Sequence, residues 1–241
     1  YNDLDSLEKV LRTHECAGVI MEPCIFEAPK EGFLQGVKDL AHRYGTLLVF
    51  DEMVTGARMA IGGAQKYFGV VPDLATFGKG IANGMPLAVV CGRRDVMKEC
   101  EEIFFSTTFG GECLSLAAAR ETIYTMMTEH TVEHVWHMGK RLTDGLDKVG
   151  LKTVGFDCRP GIMLPNETQE TLSLFKQECV QQGVLMHSFA VNLCAAHTIR
   201  EIDYTVGVCA DAWNTVRRAQ ENGTVLQELK GKVLQPVFRR F

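Results

Sequence analysis

Lys79 stands between two glycines, Gly78 and Gly80, directly after a short apolar run. A lysine in that setting invites four readings: a phosphate-cradling loop, a dinucleotide-binding loop, a nucleophilic amine, or a surface lysine in a glycine turn. The first fails because a phosphate loop requires G-x-x-x-x-G-K-[ST], and Gly80 occupies the hydroxyl position while Asp73 occupies that of the first glycine. The second fails because glycines at 78, 80 and 84 do not give G-x-G-x-x-G. An amine that attacks a carbonyl needs a partner group, and Asp51, which ends the apolar run Thr46 to Phe50, is a candidate. A carboxylate there holds the proton on a heteroaromatic nitrogen, or else caps a following helix. Glu22 ends a third apolar run, Ala17 to Met21, just before a proline. Histidines 130, 134 and 137 have a spacing that suits one helix face, yet apart from Glu133 no acid or cysteine completes a metal site, and we read them as a partly solvated face.

The elements that must carry these residues follow from periodicity. Asp3 or Asp5 caps a helix through Leu11, with Leu4, Leu7, Val10 and Leu11 at helical spacing. A second helix runs from Gly32 to Tyr44, ends at Gly45, and leads into the strand at 46–50. A Val-Pro-Asp turn at 71–73 precedes a strand at 74–77, and another strand covers 87–91. Strands and helices alternating in this way predict an α/β architecture with a mostly parallel sheet, in which ligands sit beyond the carboxyl ends of the strands. Glu22, Asp51 and Lys79 all lie at or just past such ends. After long helical patterns at 114–130 and 132–149 the segments shorten: strands at 151–156, 161–164, 184–187 and 191–195, and helices at 168–182 and 201–221, which predict a small α+β lobe. The expected division is 1–130, the second part of a large α/β domain, and 131–241, a connecting helix with the small C-terminal domain.

Close to half of the 241 residues are hydrophobic, enough for a sizeable core. The net charge of −5 is spread without a basic stripe, which argues against nucleic acid or an anionic membrane as partner. Nine cysteines, an odd number without C-x-x-C spacing, suggest a reducing compartment, and no apolar run is long enough to span a bilayer, so the expected location is cytoplasmic. The chain opens on Tyr1 directly before a capped helix, as expected of a segment of a longer protein.

Three runs in order, Leu48 to Arg58, Tyr67 to Leu74 and Phe77 to Leu87, resemble the active-site signature of the class III aminotransferases, fold-type-I enzymes that use pyridoxal 5′-phosphate. The resemblance extends upstream to Val19-Ile20-Met21-Glu22-Pro23 and downstream to Ser106-Thr107-Thr108-Phe109-Gly110-Gly111, Leu114 to Ala119 and Ala196-His197-Thr198, and it is closest to the glutamate-1-semialdehyde aminomutase-like branch. It implies that Lys79 forms the Schiff base with the cofactor and then moves the proton of the reaction, that Asp51 pairs with the pyridine nitrogen, and that Met53 packs on the ring where the family usually has valine. It further implies that Thr108, with Thr107 as rival, binds the phosphate of the neighbouring subunit's cofactor in a homodimer with shared sites, and that Glu22 lies near the substrate.

The reaction implied moves an amino group between an amine donor and an aldehyde or ketone, or within one molecule as a 2,1-aminomutase. A non-catalytic, truncated partner domain is the alternative from another class, and the presence of both Asp51 and Lys79 speaks against it. Gly111-Glu112-Cys113 departs from the family's Gly-Asn-Pro, and Ala57 stands where an aromatic residue is usual. The family's phosphate-cradling loop and its second ring-stacking residue lie N-terminal to the matched part.

Overall fold

A computed structural model of the chain describes residues 1–104, 107–186 and 190–235. The chain separates into two compact units, Tyr1–Val132 and Glu133–Phe241. In the first, α1 (Leu4–Thr13), β1 (Gly18–Met21), α2 (Phe33–Arg43), β2 (Leu47–Asp51), α3 (Gly63–Phe68), β3 (Leu74–Phe77), β4 (Val89–Gly92), α4 (Arg94–Met97) and α5 (Cys113–Thr128) follow in order. A 3-10 turn at Lys79–Ala82 separates β3 from β4. The sheet order is β1-β2-β3-β4, with the first three strands parallel and β4 antiparallel to β3. Helical crossovers between parallel strands place α2 beside β1 and β2, as the alternating pattern predicts.

One sheet face is closed by this helix layer. Phe33, Leu34, Val37 and Ala41 of α2 bury against Leu48 and Phe50 of β2, and Leu4 and Leu7 of α1 with Val19 and Met21 of β1 pack around them. Because side chains alternate along a strand, Leu47, Val49 and Asp51 point to the other face of β2 and are only half-buried. On β1 that face carries Ile20, which is 67% exposed. The α1 cap is Asp3, whose carboxylate accepts from the Ser6 N–H at 2.9 Å, which settles the choice between Asp3 and Asp5.

The amino end of the sheet is tied by a buried acid that the sequence shows only as the last residue of a turn. The Asp73 carboxylate is 2% exposed and accepts from Leu48 N at 2.8 Å, Arg93 Nη1 at 2.9 Å and His42 Nε2 at 2.9 Å. It therefore joins the start of β2, the end of α2 and the segment after β4. Burial opposes its ionisation, but the Leu48 N–H and the Arg93 and His42 side chains outweigh that and hold its pKa at about 2.

In the second unit, α6 (Thr131–Lys148) begins at the boundary, a hairpin of β5 (Lys152–Phe156) and β6 (Arg159–Met163) follows, and then α7 (Gln169–Gln181), α8 (Ile199–Asn222) and α9 (Val225–Glu228). Capping boxes at Thr168 and Thr198 start α7 and α8, and the two helices pack around Leu174, Phe175, Cys179, Val208, Cys209, Ala212 and Trp213. The strands expected at 184–187 and 191–195 do not form among the described residues. Ala190 makes one isolated bridge to Gly161, and Val191 N donates to Pro160 O, so the apolar pattern there reflects burial of Ala190 and Leu193 under coil. Residues 187–189 fall outside the described residues. The histidine face also differs: His130 sits at φ 52 in the joint before α6, and His134 bonds the His197 carbonyl at 2.8 Å. No metal-competent cluster occurs among the described residues, and no helix there is long and apolar enough to cross a membrane.

Asp73→Asn is expected to destabilise the first unit by about 2 to 4 kcal/mol at neutral pH, because it removes the charge that three donors converge on. The folded carboxyl titrates near 2 against an ordinary 3.8, so its contribution is complete above about pH 4 and is lost as pH falls through 2. Denaturant unfolding at a series of pH values should show the gap between parent and variant closing across that window, and a gap that persists unchanged to pH 2 would refute the ionic origin.

Candidate active site at the carboxyl ends of three strands

The parallel register brings the sequence-predicted residues to one edge. Met21 of β1 pairs with Phe50 of β2, and Asp51 pairs with Thr76 of β3. Glu22 therefore follows β1 at the level of Asp51, and Lys79 follows Thr76 by three residues. Asp51 does not cap a helix. Its Oδ1 accepts from Met53 N at 2.9 Å and from Thr76 Oγ1 at 3.4 Å, which turns the chain outward and orients the carboxylate across the strand pair. Among the described residues Oδ2 takes no hydrogen bond, which leaves an acceptor at the strand end.

Lys79 opens the 3-10 turn with φ 48, a left-handed backbone that residues with a Cβ rarely adopt. The side chain is exposed, and its Nζ makes no hydrogen bond or ion pair among the described residues. The approach to it is set by Met53, whose thioether lies on Gly78: a Cβ on Gly78 would overlap Met53 Cε, come within 2.7 Å of its Sδ and within 3.3 Å of the Leu87 carbonyl. A side chain at 78 would therefore displace the Met53 thioether. Helix α5 packs against the turn from its other side. At the start of α5, Glu112 accepts from Leu114 N at 2.6 Å, Ser115 N at 2.8 Å and Ser115 Oγ at 2.7 Å, and these bonds lower its pKa. Where the sequence departs from Gly-Asn-Pro, the substitute is therefore a working N-cap. Thr108 lies exposed in the turn before α5, outside the strand-end cluster.

Sequence reasoning passed over Glu52. It is 1% exposed and accepts from Thr55 Oγ1 at 2.5 Å, Ala64 N at 2.8 Å and Gln65 N at 2.8 Å. The carboxylate thereby pins the loop between Asp51 and α3, in which Ala57 takes φ 57. Gly63, at φ 80, leaves it room, since a Cβ there would fall 2.6 Å from the Glu52 carboxyl carbon. An acid beside Asp51 with a glycine eleven residues on is a weak signal, because nothing in spacing alone shows that the two meet.

The sequence profile described as Aminotransferase class-III matches residues 2–207. The chain belongs to the class III aminotransferase family. It is 34% identical over 251 residues to a glutamate-1-semialdehyde 2,1-aminomutase from Alkaliphilus oremlandii, covering 90% of this chain and 57% of that protein. It is 31% identical over 238 residues to a 3-aminobutyryl-CoA aminotransferase from Cloacimonas acidaminovorans, covering 90% and 58%. Among solved structures, the FumI protein of Sphingopyxis sp. MTA144 in its PLP internal aldimine form superposes with a TM-score of 0.86 at 26% identity, over 92% of this chain and 57% of that one. The chain thus spans a little under three fifths of these relatives, and its fold is that of the pyridoxal-phosphate transaminases. Both aminomutases and aminotransferases are similar to it.

Gly78→Ala is expected to lower stability by about 1 kcal/mol through displacement of the Met53 thioether. Combined with Met53→Ala, the glycine substitution should lose most of that penalty, a coupling readable in a double-mutant cycle of unfolding free energies. Additive losses would show that Met53 does not set the space beside Lys79.

Proposed function

We propose that the protein carrying this chain is a pyridoxal 5′-phosphate-dependent enzyme that moves an amino group between an amine or amino acid and an aldehyde or ketone, with Lys79 holding the cofactor. The observation that carries this reading is the β2–β3 register: it sets the Asp51 carboxylate and the Lys79 amine at one end of neighbouring strands, each with a polar atom that no described residue engages. Those two groups suit the cofactor, which needs an amine for covalent attachment and an anion at its ring nitrogen. When bound, it supplies an electron sink for the substrate carbon.

The residues of the chain do the rest. Lys79 Nζ would hold the cofactor and would serve as the base that takes and returns the substrate proton; its exposure gives it the reach for both. Asp51 Oδ2 keeps the ring nitrogen protonated, while Oδ1 stays anchored to Met53 N and Thr76 Oγ1. Met53 packs on the ring, and its lodging against Gly78 couples that contact to Lys79. Glu22 stands on the substrate side. Thr108, or Thr107, contacts the phosphate of a partner subunit's cofactor, which requires a homodimer, and its exposure in the turn before α5 leaves it accessible for that. The first unit is the second part of the cofactor-binding domain, and the second unit is the small C-terminal domain. The amine donor and the carbonyl acceptor are small molecules, and the compartment is the cytoplasm. The aminomutase among the similar proteins supports a second reading, in which donor and acceptor are one molecule. Product analysis without a second amine separates the two.

In the whole protein, borohydride reduction followed by peptide mapping is expected to place the cofactor on Lys79. An adduct on Lys66 or Lys98 would overturn the assignment. Asp51→Asn is expected to fold normally and to lower turnover by roughly a hundredfold or more, since the loss falls on stabilisation of developing charge. Turnover near that of the parent would remove Asp51 from its role.

A further inference from the structure

We infer that Asn2, with Tyr1 beside it, is a positioning residue that clamps the substrate-side wall of the site. The inference rests on the function proposed above. The segment after β1, from Glu22 to Gly32, has no helix or strand of its own, yet it leaves the sheet beside Asp51. Asn2 grips it at three points: Nδ2 donates to Glu27 Oε1 at 2.8 Å and to Ala28 O at 3.2 Å, and Oδ1 accepts from Lys30 N at 2.8 Å. Lys30 Nζ reaches back to Asn2 O at 3.5 Å. Tyr1 adds a fourth point, its hydroxyl donating to Pro23 O at 2.6 Å, while its ring stands edge-on to Phe33 at 5.0 Å.

Two further observations distinguish a clamp from ordinary loop bonding. Asn2 sits at φ 62, a left-handed conformation that asparagine tolerates better than most residues and that is retained here with all three side-chain bonds made. The loop is also held from within: the buried Cys24 Sγ donates to Met59 Sδ at 3.3 Å, Met59 N donates to Thr55 O at 3.1 Å, and Thr55 is bonded to Glu52. An inner brace running back to Glu52 and an outer brace at Asn2 thus fix the same eleven-residue segment. In the sheet order β1-β2-β3, this segment flanks Asp51 on the side away from Lys79. Loosening it displaces what stands beside Glu22 and leaves the Asp51, Thr76 and Lys79 arrangement in place, so the consequence falls on substrate binding and spares cofactor attachment.

The test uses the whole, cofactor-loaded protein. Asn2→Gly keeps the left-handed backbone and deletes the three side-chain bonds. It is expected to raise KM for the amino donor roughly tenfold to a hundredfold, with kcat changing less and with the Lys79 borohydride adduct and the visible cofactor absorbance unchanged. Tyr1→Phe, which removes only the bond to Pro23, should shift KM in the same direction by less. Should Asn2→Gly fold poorly, Tyr1→Phe decides. KM and kcat within about twofold of the parent in the folded variants, with the Lys79 adduct intact, would overturn the clamp. Failure of the parent itself to form an adduct at Lys79 would overturn the functional reading beneath it, and the clamp with it.

Discussion

The Asp73 carboxylate, buried at the amino end of the sheet, fixes the relation between the strands on which the site depends. It accepts from the Leu48 N–H of β2 while its own N–H, just before β3, donates to the Leu48 carbonyl, so the offset of these strands is set by one side chain as well as by the ladder. The Leu48 N–H, the positive charge of Arg93 and the hydrogen bond with His42 keep the group ionised in spite of burial. A shift of one residue between β2 and β3 would turn Asp51 to the helix-covered face and separate it from Thr76. The geometry at the carboxyl edge is therefore anchored from the opposite edge.

Acidic side chains perform most of the backbone fixation around the site. Glu52 ties the loop after β2 to the start of α3, Glu112 starts the helix that supports the Lys79 turn, and Asp51 itself turns the chain at Met53. Each meets backbone N–H groups that secondary structure leaves unpaired, and a charged acceptor makes those bonds stronger than a neutral one would. Loops built this way are tied down without strands of their own. Lys79 and Ala57 keep left-handed backbones, and Lys79 does so in the turn where Met53 fills the space beside Gly78.

Helices were legible because their apolar residues recur with helical spacing and their starts bear capping side chains. The boundaries of α1, α5, α7 and α8 lie within a few residues of those expected. The strands that carry Glu22, Asp51 and Lys79 were legible as apolar runs ended by polar residues. The strands expected at 184–187 and 191–195 are absent among the described residues, because a short apolar run has the same composition whether it pairs or lies as coil. The histidines were misread as one face because a helix joint interrupts the period at His130.

By itself the sequence determined the kind of architecture and the family signature, and it singled out Asp51 and Lys79 as the candidate pair, since these depend on residue type and on spacing along the chain. Tertiary structure alone decided that Asp51 leans on Thr76, that Met53 fills the space beside Gly78, that Asp73 and Glu52 are buried hubs, and that Asn2 holds the loop after β1. These are contacts between residues distant in sequence. Their partners are chosen by strand register and packing, which the order of residues encodes only through the fold as a whole.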